Sequence, residues 1–242
     1  LDLQKYCTNL NFPEFHGTQL FRWLYKNNYQ DIEQMSNIPK TLKNEVSKNA
    51  LINLLSIKLT SKSKIDRTTK FLLQTIDNKY IETVSMIDNN RHTVCLSSQI
   101  GCNVDCDFCA TGKMGFIRNL SAGEIIDQLI LVQKSIRKQI TNIVFMGMGE
   151  PFLNYSNVIK ACYIFSNPKA FNLSTKRITI STAGILSKID RYITEKHKFK
   201  LAISLNASNN KIRNKIMPIN NNWNIEQLIK EGKRFSLFKK RE

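Results

Sequence analysis

Cys102-Asn-Val-Asp-Cys-Asp-Phe-Cys109 places three of the six cysteines of the chain on one loop of eight residues. Soft thiolate ligands of this kind select iron–sulfur clusters, zinc or copper(I). Three thiolates can hold three irons of a 4Fe-4S cube and leave the fourth iron open to another ligand. The spacing therefore predicts a metal centre on Cys102, Cys106 and Cys109, with the aromatic ring of Phe108 beside it.

A structural zinc site is the alternative for these cysteines. Zinc sites generally combine two close pairs of ligands, and a distant Cys or His would have to complete this one. The sequence offers no second close pair, and the candidates that remain are scattered: Cys7, Cys95, Cys162, His16, His92 and His197. The pattern favours a cluster and leaves the zinc site open.

Strand and helix patterns alternate after the cysteine loop. Ser121 and Glu124 form a capping-box pair, which predicts a helix that continues to about Lys138. Apolar periodicity then predicts further strands and helices, with strands at 142–146, 177–180 and 200–205 and helices at 157–165 and 185–194. This alternation implies about four parallel strands, counting the strand that leads into the cysteine loop. The predicted fold class is α/β, with a partial (β/α) barrel.

A different pattern precedes the cysteine loop. Short runs rich in Ile, Val, Leu and Thr predict antiparallel hairpin strands, at 53–60, 69–76, 79–86 and 91–98. Residues 13–50 show helical spacing instead. We therefore expect an N-terminal helical accessory domain at 1–52, a β-hairpin extension at 53–91 and a barrel core at 92–242.

Several polar residues follow the predicted parallel strands. They are Gly149 and Glu150 after the strand at 142, Ser181 after the strand at 177, and Ser204 and Asn206 at the end of the strand at 200. The carboxyl ends of parallel strands in a β/α barrel share one mouth, and the cysteine loop also follows a strand. The sequence therefore predicts one site at this edge.

Glu82 and Cys95 form a second candidate pair. If the hairpin turns on Asp88-Asn89, the register places Glu82 opposite Cys95 on one face of the sheet. A carboxylate beside a thiol is suited to proton handling. The alternative is a surface glutamate and a buried, inert cysteine.

The net charge of +17, from 36 Lys and Arg against 19 acids, would attract a polyanion such as RNA or DNA. A biased composition rich in Lys, Asn and Ile is the alternative explanation. No apolar run approaches the roughly 18 residues that span a bilayer, and the first residues do not have the pattern of a signal peptide. We expect a cytoplasmic protein.

The cysteine spacing, with an aromatic residue before the last cysteine, is the signature of radical S-adenosylmethionine enzymes. Over about residues 13–232 the chain resembles one of their families, the RlmN and Cfr RNA methyltransferases. The segments that carry this resemblance are 93–102, 108–120, 146–151, 180–184, 202–206 and 217–220.

The resemblance implies a partial radical S-adenosylmethionine barrel with two cofactors. A 4Fe-4S cluster would be bound by Cys102, Cys106 and Cys109. The matching contacts to S-adenosylmethionine are Gly149, Glu150, Ser181, Ser204 and Asn206, the last of which is usually His in the family. Glu82 would be the proton acceptor, and Cys95 would help to resolve a covalent intermediate between protein and RNA.

The implied activity is methylation of adenosine C2 in 23S rRNA and tRNA, by a monomer that uses an external electron donor. Adenosine C8 methylation, as in the Cfr branch, and an inactive RNA-binding remnant remain as alternatives. The family mechanism needs another cysteine toward the C-terminus as methyl carrier, and this chain has none after Cys162. We therefore expect a truncated chain that cleaves S-adenosylmethionine weakly at most, an expectation that 2-methyladenosine made by this chain alone would contradict.

Overall fold

The computed structural model describes residues 2–26 and 31–240 of the chain. Residues 27–30, part of the predicted helical range 13–50, lie outside this description. The described residues divide into two compact units, one formed by Leu1–Leu54 with Tyr163–Leu173 and the other by Leu55–Cys162 with Ser174–Glu242.

The first unit contains helices packed around a small apolar core. Its helices are α1 (Asp2–Asn9), α2 (Phe15–Tyr25), a 3-10 turn (Ile32–Gln34) and α3 (Lys40–Asn49). The buried side chains come from these elements and the segments that join them: Cys7, Leu20, Ile32, Met35, Ile38, Leu42 and Val46. Burying a Val, Leu, Ile or Met side chain contributes about 1.5–3 kcal/mol, and six of these seven residues, all except Cys7, are of this kind, which explains how a short segment forms its own core.

The second unit is built on a seven-stranded sheet with the order β1-β2-β3-β4-β7-β8-β9. The strands are β1 (Leu55–Lys62), β2 (Thr69–Thr75), β3 (Tyr80–Asp88), β4 (Arg91–Cys95), β7 (Asn142–Phe145), β8 (Ile178–Thr182) and β9 (Lys200–Ile203). β1 to β4 pair in antiparallel fashion, whereas β4, β7, β8 and β9 pair in parallel. The predicted α/β class and the prediction of about four parallel strands are both confirmed.

Helices follow or join the parallel strands. They are α4 (Ala110–Lys113), α5 (Ala122–Ile136), α6 (Tyr155–Ser166), α7 (Leu186–Thr194), α8 (Asn210–Ile216) and α9 (Ile225–Lys240). The predicted capping box at the start of α5 is confirmed. The Ser121 hydroxyl accepts from the Glu124 N–H at 3.2 Å, and the Glu124 carboxylate accepts from the Ser121 N–H at 2.8 Å.

α5 covers one face of the antiparallel strands, which leaves the other face open. Phe71, Leu73 and Ile81 are fully buried on the covered face. The Thr83 hydroxyl, on the same face, donates to the Gln128 side chain of α5 at 2.7 Å. Side chains in a strand alternate between faces, and Glu82 is therefore on the open side.

Two short strands form a separate sheet beside the cysteine loop. β5 (Gln99–Gly101) pairs with β6 (Phe116–Asn119), and the cysteines lie in the connection between them. Arg118 on β6 forms 2.7 Å ion pairs with Asp77 in the β2–β3 turn and with Glu124 at the start of α5. These bonds hold the base of the cysteine loop against the main sheet.

Candidate active site

The cysteine loop is closed at its base by a close backbone approach. The Cys102 N–H donates to the Gly115 carbonyl at 3.1 Å. Gly101 has a φ of +73°, and a Cβ at this position would run into the Gly115 carbonyl. Within the loop the Cys109 N–H donates to the Cys106 carbonyl at 3.0 Å, which places these two cysteines on one turn.

The three thiols lie close enough to influence one another. Burial raises the pKa of Cys102, and the neighbouring charges of Glu150 and Cys109 raise it further. Burial, followed by the nearby Cys102 and Cys109 thiols, raises the pKa of Cys106 to about 11. Such thiols ionise readily only when a cation compensates the thiolate charge, as metal ions do.

The donor set of the loop fits a 4Fe-4S cluster. Cys102, Cys106 and Cys109 are all half-buried, and each could bind one iron of a cube. Within 2–26 and 31–240, no three Cys, His, Asp or Glu side chains are grouped as ligands of one metal ion.

The loop after β7 is tied to the end of β8 through Glu150. Glu150 is buried, and its carboxylate accepts from the Phe152 N–H at 3.0 Å and from the Ala183 N–H at 2.7 Å. Burial raises the pKa of this carboxyl, and these two backbone donors oppose the rise. The buried Glu150 carboxylate therefore connects the loop after β7 to the segment after β8.

Gly149 reaches its conformation only because it lacks a side chain. Its φ is +93°, and a Cβ would run into the side chain of Gln99. The Gln99 side chain in turn accepts from the Glu150 N–H at 2.8 Å. The glycine therefore lets the loop after β7 lie directly against the strand that precedes the cysteines.

The ends of β8 and β9 meet at the same edge of the sheet. The hydroxyls of Ser181 and Ser204 are 3.2 Å apart, and the Ser204 N–H donates to the Thr182 carbonyl at 2.9 Å. Asn206, two residues further, is exposed with a φ of +55°, and its amide donates to the Met217 sulfur at 3.4 Å. Met217 packs with Val104 of the cysteine loop. The structure thus brings together the predicted cofactor residues.

The predicted register of Glu82 and Cys95 is wrong. Cys95 pairs with Val84, and Asp88 pairs with Arg91. The turn is therefore Asn89-Asn90 instead of Asp88-Asn89, with Asn89 at a φ of +49° that asparagine tolerates well. Glu82 lies two positions beyond the residue opposite Cys95, so the two still share the open face of the sheet.

Both residues also touch the loop after β7. The Glu82 N–H donates to the Met148 sulfur at 3.3 Å, and the Glu82 carboxylate forms a 2.8 Å ion pair with Lys70. Burial raises the pKa of the Cys95 thiol, and a hydrogen bond from the Met146 backbone partly opposes the rise. Cys95 is therefore a protonated thiol near neutral pH.

Sequence reasoning missed the polar residues that hold these loops in place. Gln128 on α5 accepts from the Ser97 N–H at 2.8 Å and donates to the Ser97 carbonyl at 3.0 Å. The Ser97 hydroxyl accepts from the Met148 N–H at 2.9 Å and donates to the Glu82 carbonyl at 2.6 Å. One signal was available, because Asp127 and Gln128 interrupt an otherwise apolar run over 125–132 of a helix whose composition predicts burial.

Comparison with known proteins agrees with this geometry. Residues 96–237 match the family model of the radical SAM superfamily, and residues 1–52 match that of the ribosomal RNA large subunit methyltransferase N-terminal domain. A crystal structure of a radical SAM methyltransferase from Sphaerobacter thermophilus superimposes with a TM-score of 0.93 at 36% identity, covering 99% of this chain and 71% of that one.

Curated relatives narrow the match from a superfamily to one family within it. A probable dual-specificity RNA methyltransferase RlmN from Petrotoga mobilis is 42% identical over 229 residues, which are 94% of this chain and 66% of that protein. A dual-specificity RNA methyltransferase RlmN from Nautilia profundicola is 40% identical, with coverages of 95% and 69%. The chain thus spans slightly less than two thirds of the length of the Petrotoga relative.

These matches define a member of the radical SAM superfamily, whose proteins use a 4Fe-4S cluster and S-adenosylmethionine. Because both family models and the curated relatives agree, the chain belongs, within that superfamily, to the RlmN-type RNA methyltransferase family.

Proposed function

We propose that this chain takes part in the radical S-adenosylmethionine-dependent methylation of adenosine C2 in 23S rRNA and tRNA. The observation that carries the proposal is the meeting of the cysteine loop, the Glu150 loop and the Ser181–Ser204 pair at one edge of the parallel strands. The RlmN relatives are named RNA methyltransferases, which supports RNA as the substrate class.

The residues of this edge divide into two binding roles. Cys102, Cys106 and Cys109 would hold three irons of the cluster. Gly149, Glu150, Ser181, Ser204 and Asn206 would hold S-adenosylmethionine. When bound, the cluster supplies one electron that cleaves the sulfonium bond and yields an adenosyl radical. The protein binds, orients and shields the cofactors, and Glu150 fixes the two loops that do so.

Glu82 and Cys95 are proposed to handle protons on the substrate side. Glu82 would accept the proton lost from the adenine ring as a general base, and its carboxylate is held beside Lys70 at 2.8 Å. Cys95 would help to resolve the covalent intermediate as a thiol. Both lie on the open face of the sheet, where a nucleotide can approach without displacing α5.

The partners follow from the same proposal. The net charge of +17 is complementary to RNA phosphates. The electron would come from an external donor, and we propose that the protein acts as a monomer in the cytoplasm, where its RNA substrates are found. Within 2–26 and 31–240, none of the helices has the length and apolar character needed to cross a membrane.

Disruption of the gene that encodes this chain tests the reaction. We expect 2-methyladenosine to disappear from digests of 23S rRNA and tRNA, measured by liquid chromatography and mass spectrometry, and to return when the gene is restored. Loss of 8-methyladenosine instead would assign the C8 reaction. No change in either nucleoside, with RNA affinity retained by the purified chain, would indicate an RNA-binding remnant.

Anaerobic reconstitution tests the site itself. The purified chain should take up iron and sulfide and release methionine from S-adenosylmethionine when reduced. Cys106→Ala should lose both properties, whereas Cys162→Ala, which changes a cysteine buried away from the loop, should keep both. Zinc without sulfide in the wild-type protein would reject the cluster.

A further inference from the structure

Arg213 on α8 is the largest fully buried side chain of the described residues. Arginine is seldom buried completely unless its charge is paired. Here the hydrogen-bond acceptors found among residues 2–26 and 31–240 are all carbonyl oxygens, and none is a carboxylate. The burial of this cation therefore needs an explanation, both in the segments that it joins and in the charge that it could balance.

The guanidinium joins the ends of two parallel strands. Its Nη2 donates to the Ala183 carbonyl at 2.6 Å and to the Ser204 carbonyl at 3.2 Å, and its Nε donates to the Leu205 carbonyl at 3.0 Å. Ala183 follows β8, and Ser204 and Leu205 follow β9. The forked guanidinium of Arg213 therefore fixes the spacing of the two segments that carry the Ser181 and Ser204 hydroxyls.

The same helix also contacts the cysteine loop. The carbonyl of Ile216, at the end of α8, accepts from the Asp107 N–H at 2.9 Å. Ile216 and Cys106 both pack against the buried cluster around Met217. Nη1 of Arg213 donates to the Asn220 side chain at 2.8 Å, which holds the segment just after Met217. One side chain thus anchors the surroundings of both proposed cofactors.

Arg213 is also close enough to Cys106 for the charges of the two groups to interact. Burial lowers the pKa of the guanidinium and the Cys106 thiol raises it, but an arginine keeps its proton in proteins. A permanent positive charge next to the loop complements the negative charge that thiolates and a cluster would bring. Electrostatic complementarity of this kind is one way in which proteins set cluster potentials.

We propose that Arg213 is a positioning residue of the cofactor site, whose planar fork sets the distance between the ends of β8 and β9 and whose charge stabilises a reduced cluster on the cysteine loop. The inference rests on the proposed cofactor site. Arg213 would contact neither the cluster nor S-adenosylmethionine. It would instead determine the spacing of the segments that bind them and the electrostatic potential at the cysteine loop.

Two substitutions separate the fork from the charge. Arg213→Lys keeps the charge but has one nitrogen with three donors, which cannot span Ala183, Leu205 and Asn220. Arg213→Met keeps much of the volume and loses both fork and charge. Arg234→Met is the matched control, because Arg234 is an exposed arginine of the same unit.

Three measurements decide the proposal: S-adenosylmethionine affinity by equilibrium dialysis on the reconstituted chain, the cluster midpoint potential by spectroscopic redox titration, and amide exchange of Ala183 and Ser204 in the cluster-free chain. Arg213→Met should weaken S-adenosylmethionine affinity by about 10- to 100-fold, as losses of outer-shell partners do at metal sites. It should also lower the midpoint potential and speed the exchange of both amides.

Arg213→Lys should restore the potential while leaving S-adenosylmethionine affinity low and amide exchange fast. A residue that only supports the fold would not separate these two properties. Wild-type affinity and potential in Arg213→Met would overturn the proposal. If that variant does not fold, wild-type affinity and wild-type exchange in Arg213→Lys would overturn it instead.

These outcomes are independent of the methylation reaction. If gene disruption leaves RNA methylation unchanged, the proposed function fails, yet affinity and potential still test Arg213. If the wild-type chain binds no cluster, amide hydrogen exchange at Ala183 and Ser204 is the remaining test. Equal exchange rates in the wild type and in Arg213→Lys would then overturn the positioning role.

Discussion

Glu150 illustrates how a single buried carboxylate can connect two loops of a candidate site. Its two oxygens accept backbone hydrogen bonds from Phe152 and Ala183, which belong to different strand-end loops. A carboxylate in this position costs desolvation, and the two donors offset that cost. The segment around Glu150 is therefore a structural clamp, in addition to its proposed role in binding S-adenosylmethionine.

Glu150→Gln should break this clamp. The amide NH2 of the glutamine would face one of the two backbone N–H donors. Two buried donors without an acceptor would cost about 1–3 kcal/mol of unfolding free energy. Urea unfolding of the cluster-free chain would measure the loss. Glu226→Gln, an exposed change on α9, is the control and should stay near wild type. Equal stability of both variants would show that the clamp is unimportant.

Because the Cys162 thiol is buried, we expect the unfolding free energy of the chain to depend on pH in the alkaline range. Burial in α6 holds the pKa of this thiol well above its usual value of 9.0. In the unfolded chain the thiol ionises as the pH rises through about 9, whereas in the folded chain it stays protonated. The stabilising contribution is therefore complete below that pH and is lost above it.

Cys162→Ala should remove this part of the dependence. Above about pH 9 the unfolding free energy of the variant should fall less steeply, by up to about 1.4 kcal/mol per pH unit for one proton. Urea unfolding over a pH series, with a reductant present, would show it. Parallel curves for wild type and variant would contradict the prediction.

Most of the elements with clear periodicity could be predicted from the sequence. The long helix α5 has a capping box and an apolar face, and the parallel strands are short apolar runs between helices. The strands β5 and β6 were missed because three and four residues are too few to show a period, and their pairing depends on the close approach of Gly101 to Gly115.

The site was predictable where a motif marks it and was not where packing decides. The cysteines and Ser204 stand in recognisable segments. Arg213 does not, because nothing in Asn209-Asn-Lys-Ile-Arg213 indicates which carbonyls will surround its guanidinium. The register of Cys95 was wrong by one turn position, since Asp88-Asn89 and Asn89-Asn90 are both good turn sequences and only the three-dimensional structure separates them.

At the level of elements, the β1–β2 hairpin is the basic surface that we expect to contact RNA. Every residue from Ser56 to Arg67 is exposed, and this range includes four cations against one acid: Lys58, Lys62, Lys64 and Arg67 against Asp66. The Asp66 carboxylate accepts from the Thr68 N–H within the turn, at 2.8 Å. The hairpin is continuous with the open face that carries Glu82.

Lys64→Glu with Arg67→Glu should weaken the binding of a 23S rRNA fragment. The slope of log affinity against log salt should become shallower by about 0.7 for each RNA phosphate that the protein no longer neutralises. Fluorescence anisotropy over a salt series measures both the affinity and the slope. Lys230→Glu with Lys233→Glu on α9 makes the same change of net charge elsewhere. If both double variants weaken binding equally, the hairpin is no preferred surface for RNA.

At the level of the molecule, cluster binding should stabilise the unit formed by Leu55–Cys162 and Ser174–Glu242. A cofactor that binds only the folded state adds its binding free energy to stability. For a unit of this size the unfolding temperature rises by about 2–4 °C per kcal/mol. Anaerobic calorimetry of the reconstituted and cluster-free chain measures the shift, and Cys106→Ala should show none.

β1 is an edge strand of the sheet in the described part of the chain, and Lys58 stands at the bulge that interrupts its register between Ile57 and Leu59. An exposed edge with apolar residues such as Leu59 invites pairing with a second copy, and a charged bulge opposes it. The charge at Lys58 therefore also opposes self-association of the chain through this edge. Replacing Lys58 with Ala would remove this charge and leave the chain more prone to aggregate.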